Sequence, residues 1–356
     1  MPPLRSALLL LLLLLAKATV AVRIATQVYS RLACPSVATL YSNCTDGSKS
    51  QTCVAYPLTS NRTTGSTPLQ DADAGKCYNV VVVEDGQYAD AGIEYVAGLP
   101  ITTESSIDLS NNSIRSLYID DSSAAGSSKL TKLDLSKNKL ASLDGFVIPA
   151  SVSSLNLSSN LIEKLTFPDS LLNIDSLDVS SNPITSINGS SFAGKISSLG
   201  AKNISIISLS NVSIPLSTAY LDLSLDQVSN WSDFRFPGSL ITVYASEASI
   251  SALWKLDFSA SEKLQTLHLH DNQIASIEGV KFPPNLKELH LNGSEISRFA
   301  IRELDGAVLK SLKSFNATAI SVLQCDTPAV KTTVAVAGSD IDLCVLQGKY
   351  MRLSQC

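Results

Sequence analysis

Between residues 107 and 317 the chain repeats an apolar–polar–apolar triplet at nearly constant spacing. The apolar members pair as Ile107/Leu109, Leu133/Leu135, Leu155/Leu157, Leu177/Val179, Leu199/Ala201, Leu221/Leu223, Val243/Ala245, Leu267/Leu269, Leu289/Leu291 and Phe315/Ala317. Successive pairs lie 26, 22, 22, 22, 22, 22, 24, 22 and 26 residues apart. Two apolar residues separated by one polar residue share a side of a strand, so each pair predicts a short strand with its apolar side inward. Five residues past the pair comes another apolar residue, such as Ile114, Ile184 or Ile296, and three further on another, such as Leu165, Trp231 or Phe299. One such coil cannot bury its own leucines, whereas about ten stacked coils build a continuous core.

The stretches LDLSKNKLASL, LNLSSNLIEKL, LDVSSNPITSI and LHLHDNQIASI resemble the leucine-rich-repeat motif, over roughly residues 104 to 323. The resemblance implies a horseshoe solenoid of the α/β repeat type, with a concave parallel sheet. A 22-residue period leaves little chain for the convex side, which predicts turns or 3₁₀ segments there and few full helices. Asn112, Asn138, Asn160, Asn182 and Asn272 fill the motif's asparagine position, where an inward amide satisfies backbone groups at the turn. Asp226 and Ser294 are partial substitutes there. Ile204, Ala248 and Ile320 have no hydrogen-bonding side chain, which predicts irregular middle and last coils. Proline recurs in one phase ahead of the strands, at 149, 215, 237 and 283, where it favours extended backbone in the preceding residue.

The flanks differ from the array. Arg5 and the apolar run from Ala7 to Ala16 read as a signal peptide over residues 1–21, the run being far short of the ~20 residues that span a bilayer. No later segment reads as a membrane span. Cys34, Cys44, Cys53 and Cys77 precede the repeats, and Cys325, Cys344 and Cys356 follow them. With no zinc spacing and a leader present, disulfides are expected among Cys34, Cys44, Cys53, Cys77, Cys325 and Cys344, with Cys356 left over. Residues 22–103, with Val80–Val83 as a first strand, read as an N-terminal cap and residues 324–356 as a C-terminal one. Residues 121–128 read as a flexible insert.

A net charge of -5 without a basic block argues against nucleic-acid binding. No nucleophile elbow, metalloprotease or phosphate-loop motif occurs, so neither an enzyme nor a cofactor or metal is expected. The resemblance implies partner binding on the concave face. Its outward residues between the core pairs run Asp108, Asp134, Asn156, Asp178, Gly200, Asp222, Tyr244, His268, His290 and Asn316. Larger side chains gather in the second half, so Tyr244, His268, His270 and His290 are the candidate ligand-binding residues. The same histidine cluster could sense pH near neutrality, or simply be a polar surface.

Ten glycosylation sequons begin at Asn43, Asn61, Asn111, Asn156, Asn188, Asn203, Asn211, Asn230, Asn292 and Asn316. Two of them, Asn156 and Asn316, fall on the concave strands. The whole reads as a secreted extracellular protein that recognises a protein or glycan ligand. Its repeat style and caps are similar to leucine-rich-repeat receptor ectodomains of oomycetes and other protists. An adhesion glycoprotein of the cell wall and a truncated receptor ectodomain are the alternative readings.

Overall fold

A computed structural model of the chain describes residues 38–46, 49–57, 78–82, 88–99, 104–117, 129–209, 212–228, 231, 234–322, 324–326 and 328–346. The leader, the 121–128 insert, Cys34, Cys77, Cys356, Asn61, Asn211 and Asn230 lie outside the described residues. The chain divides into two compact units, one comprising Met1–Thr131 with Gly145–Ser151, the other Lys132–Asp144 with Val152–Cys356.

The first unit holds β1 (Thr39–Asp46), β2 (Lys49–Pro57), β3 (Tyr78–Val82), β4 (Tyr95–Val96), β5 (Ser106–Asp108) and β6 (Ser116–Leu117). Five of these form a sheet in the order β3-β2-β1-β4-β6. The first three pair antiparallel, and β4 and β6 continue the sheet in parallel. The valine run, read as a strand of the N-terminal cap, falls on β3 as far as Val82 and forms the outer strand of this sheet, pairing back on β2. Cys44 lies on β1 and Cys53 on β2.

The second unit is a parallel β-solenoid with little helix. Its strands are β7 (Lys132–Asp134), β8 (Ser154–Asn156), β9 (Lys164–Thr166), β10 (Ser176–Asp178), β11 (Ser186–Asn188) and β12 (Ser198–Gly200). There follow β13 (Val212–Ser213), β14 (Tyr220–Asp222), β15 (Thr242–Tyr244), β16 (Ala252–Trp254), β17 (Thr266–His268) and β18 (Ser276–Glu278). The last are β19 (Glu288–Ile296), β20 (Arg298–Arg302), β21 (Ser314–Ile320), β22 (Ala329–Val336) and β23 (Ser339–Leu346). Nine strands of this unit lie side by side in the long sheet, in the order β7-β8-β10-β12-β14-β15-β17-β19-β21. Outer connections include a 3₁₀ turn (Asp169–Leu171) and one helix, α1 (Glu303–Lys310).

Every core pair from Leu133/Leu135 to Leu289/Leu291 is buried, each leucine contributing ~1.5–3 kcal/mol. The last pair differs. Phe315 and Ala317 are only half-buried, because β21 is the terminal strand of its sheet among the described residues.

Two further sheets line the coils away from the long one, the parallel β9-β11-β13 and the mixed β16-β18-β20-β23-β22, in which only β22 runs antiparallel to its neighbour. The pattern did not predict them, since each of β9 and β11 carries a single apolar residue, Leu165 or Ile187. The C-terminal hairpin β22-β23 joins the second of these by pairing with β20, and a disulfide ties Cys344 of β23 to Cys325.

The strands of the middle coils, β12, β14 and β15, pair without a shift, whereas the pairing of β19 with β21 in the last coil shifts between Leu291 and Glu295. The backbone amides at the two middle positions that lack a polar side chain are served from the following coil. Asp226 Oδ1 accepts the Ile204 amide at 2.6 Å, and Asn272 Oδ1 accepts those of Ala248 and Ile250 at 2.9 and 3.0 Å.

Candidate functional site

The outward face of the long sheet divides into two halves of different chemistry, both built on one backbone repeat. In the first half, the residue between the core pair folds back onto its own strand end. Asp134 Oδ1 accepts the Ser136 amide at 2.8 Å, Asn156 Oδ1 that of Ser158 at 3.0 Å, and Asp178 and Asp222 Oδ1 those of Ser180 and Ser224 at 2.9 Å. These short polar side chains therefore finish the strands, the local turn bond that Asp and Asn favour. Asn156 Nδ2 also donates to Asp134 Oδ2 at 3.0 Å. Gly200 interrupts the row where a Cβ would sit 3.0 Å from Asp178 Oδ1. The acidic half is thus largely occupied with its own backbone.

The second half is different because three of its side chains are rings, which do not make the short turn bond of Asp and Asn. Tyr244, His268, His290 and Asn316 stand in register on β15, β17, β19 and β21. Parallel strands lie ~4.8 Å apart, close to the separation of stacked rings, so the sheet stacks these side chains. The Tyr244 and His268 ring centroids are 4.5 Å apart with planes 2° from parallel, and His268 and His290 are 4.8 Å apart at 6°. Asn316 Nδ2 donates to His290 Nδ1 at 3.0 Å, which leaves the neutral His290 ring its proton on Nε2. That nitrogen lies 3.6 Å from Glu288 Oε2.

His270 stands beside this ladder and outside the stack. Its ring meets His268 edge-on at 6.3 Å, and its Nδ1 bonds Asp271 Oδ2 at 2.7 Å. Near-parallel rings also hold their nitrogen lone pairs in separate planes, so the stack does not converge on a metal ion. Among the described residues, no group of three His, Cys, Asp or Glu could hold one.

Burial holds the His268 pKa below its ordinary value of 6.5, reinforced by the neighbouring His290 and His270 and opposed by Glu288. His268 is therefore neutral at neutral pH. Replacing His290 with alanine uncovers one face of the ring and removes a neighbour that lowers the His268 pKa, so that pKa is expected to rise. Ring-proton chemical shifts followed through a pH titration measure this, and an unchanged midpoint would contradict the stacking argument.

Sequence reasoning placed Asn316 in the outward row and counted it as a sequon, but missed that it caps the ladder. It also passed over Tyr220, which is 45% exposed one residue ahead of the Leu221 core position. The available signal was strand alternation, which puts residue 220 on the outward side. Of the other sequon asparagines described, Asn188, Asn203 and Asn292 are exposed in the second unit. Asn111 is exposed in the first unit, where its amide bonds the Asp90 carboxylate. Asn43 lies on β1. No helix among the described residues is long and apolar enough to cross a membrane.

A protein-family profile described as leucine rich repeat matches residues 105–162. No curated protein matches the sequence. Solved structures similar to the chain include YopM from Yersinia enterocolitica WA-314, at 20% identity over 64% of this chain and 54% of that one, with a TM-score of 0.40. The leucine-rich repeat domain of APL1B is 18% identical over 71% of this chain and 72% of that one, with a TM-score of 0.41. A chain of the LRIM1/APL1C complex is 19% identical over 67% of this chain and 49% of that one, at 0.46. The chain thus spans about half the length of the YopM chain it matches.

Proposed function

We propose that this chain, a leucine-rich-repeat protein, is a secreted recognition module that binds an extracellular protein on the outward face of its long sheet, over Tyr244, His268, His290 and Asn316. The observation that carries the reading is the stacked ladder on that face. Its rings are held by the sheet before any partner arrives, so little side-chain freedom is lost on binding. Tyrosine is also among the residues that dominate interface energies. The acidic half suits a rim better than a centre, because each of its Asp or Asn side chains already holds a backbone bond.

Leucine-rich-repeat proteins generally serve as binding scaffolds, and no catalytic role is assigned to this face. Secretion is supported by three features of the sequence: the leader-like start, cysteines confined to the flanks, and the sequons.

The test places a photo-crosslinking residue at 244, and as a control at 254. Trp254 is 57% exposed on β16, away from the ladder. Extracellular proteins of the source organism are expected to crosslink at 244 and not at 254, and equal capture at both would sink the assignment. Against an isolated partner, Tyr244→Ala is expected to weaken binding by roughly 30-fold, the loss of one interface hot spot. Secretion is tested separately by the mature N-terminus and by the mass lost on deglycosylation. A chain that keeps its leader and carries no glycans would end that part of the proposal.

A further inference from the structure

The ring ladder has one open end. Among the described residues Tyr244 stacks on His268 alone, so its other face turns towards β14, where Asp222 holds the equivalent position. Asp222 is short, and its Oδ1 accepts the Ser224 amide at 2.9 Å, which keeps the side chain low on its own strand. Next comes Gly200 on β12, which has no side chain, and then Asp178 on β10. The Asp178 carboxylate leans over the glycine, with Oδ1 3.0 Å from where a Cβ would stand. The row therefore leaves a trench three strand spacings wide, ~14 Å, bounded by an aromatic face and a carboxylate. Tyr220, 45% exposed two residues before Asp222, adds a second ring beside it.

Charge in the trench is uncompensated. Neither Asp178 nor Asp222 forms an ion pair among the described residues, and each keeps an Oδ2 without a hydrogen bond there. Lys202, exposed two residues past Gly200, pairs with neither. The charge of Asp222 is felt instead by the buried Asp226, whose carboxyl it makes harder to ionise.

We infer that this open end takes an arginine side chain of the extracellular partner, its guanidinium stacked on the free face of Tyr244 and paired with Asp222. The inference rests on the recognition reading above and gives the chemistry of one contact within it. A cation is drawn to the face of an aromatic ring, more strongly where water is displaced. The planar guanidinium also adds the next rung to the stack while its fork reaches a carboxylate, which the compact ammonium of lysine cannot do. Gly200 admits the stem, because any larger residue there would stand between Asp178 and Asp222. An anionic occupant would meet two carboxylates, and a neutral one would leave their charge unanswered.

The test titrates N-acetyl-arginine methylamide into the full chain and follows the ring-proton shifts of labelled tyrosines. Tyr244 and Tyr220 are expected to shift saturably, with a Kd on the order of 1–10 mM. The citrulline analogue keeps the plane without the charge and should bind at least about fivefold more weakly. The lysine analogue keeps the charge without the plane and should bind about threefold more weakly. Asp222→Asn should weaken arginine binding about three- to fivefold, as expected for one exposed charge pair. That variant should fold normally, since Asn156 makes the same turn bond on its own strand. Gly200→Gln should fill the trench and remove the Tyr244 shift.

The absence of a saturable shift up to about 50 mM would overturn the inference. So would citrulline or lysine analogues that bind as tightly as arginine, or an Asp222→Asn chain that binds unchanged. Crosslinking at 244 decides the recognition reading separately. A protein captured there by a chain indifferent to the arginine probe would leave recognition standing and remove only the arginine contact.

Discussion

Asp226→Asn is expected to raise the stability of this protein at neutral pH by on the order of 2–4 kcal/mol, and to leave it nearly unchanged at pH 4. The Asp226 side chain is buried in the position that asparagine holds in neighbouring coils. Where asparagine is present, its oxygen accepts an amide of the preceding coil and its nitrogen donates to carbonyls. Asn182 Nδ2, for example, donates to Leu157 and Val179 carbonyls at 2.9 and 2.8 Å. Asp226 reproduces only the accepting half, through Oδ1 and the Ile204 amide. Its Oδ2 is buried without a hydrogen-bond partner. By equivalence of position that oxygen takes the place of the asparagine nitrogen among carbonyls, where only a protonated carboxyl can donate.

Burial accordingly pushes the Asp226 pKa from the ordinary 3.8 up to about 8, against the lowering effect of the Ile204 amide and with a small addition from Asp222. Between these two values the folded chain keeps a proton that the unfolded chain releases. Stability therefore falls as pH rises from about 4 to about 8, by at most ~1.4 kcal/mol per unit for this one group, and flattens above. Relaxation and water entry reduce that ceiling. Asparagine donates at every pH, so the difference between variant and parent should open across this window. Urea unfolding at pH 4, 6 and 8 measures it, and a difference independent of pH would refute the protonated-donor account.

The repeat itself was legible because it depends on a periodicity that only inward burial explains. Spacing alone assigns Leu177 and Val179, with their equivalents, to the inward side. What the pattern could not show was lateral pairing. The strand Lys164–Thr166 has one apolar residue, Leu165, so nothing in it announces a partner in Ser186–Asn188. The docking of β23 onto β20 joins segments about forty residues apart and depends on backbone direction, which hydropathy does not encode.

The candidate site was legible as a row of positions and illegible as a contact. Alternation put Tyr244, His268 and His290 on one face, but their stacking follows from the spacing of paired strands. The asparagine column was legible as positions and not as a direction: each amide is served from the following coil, so the Ile204 amide depends on residue 226 and not on its own side chain.

That dependence sets the largest loss expected from a single side chain in the array. Asn182→Ala would leave the buried Ile162 amide without the Oδ1 acceptor it meets at 3.0 Å and the Val179 carbonyl without the Asn182 donor, while the Leu157 carbonyl keeps only its bond from Asn160 Nδ2 at 2.9 Å. Orphaned buried groups cost ~1–3 kcal/mol each, so a loss of about 3 kcal/mol is expected after partial relaxation. Because each coil touches only its neighbours, the damage should be local. Amide exchange at Ile162 should accelerate by about 100-fold, with much less change at Ile274, whose amide is served by Ser294 Oγ. Asn188→Ala, on an exposed side chain, should cost less than about 0.5 kcal/mol and serves as the control. Asn182→Asp carries the reasoning one step further. It should recreate the chemistry of Asp226, mild at pH 4 and increasingly destabilising towards pH 8. If Asn182→Ala unfolds like the parent, or Asn182→Asp shows no pH dependence, the amide column is not what binds one coil to the next.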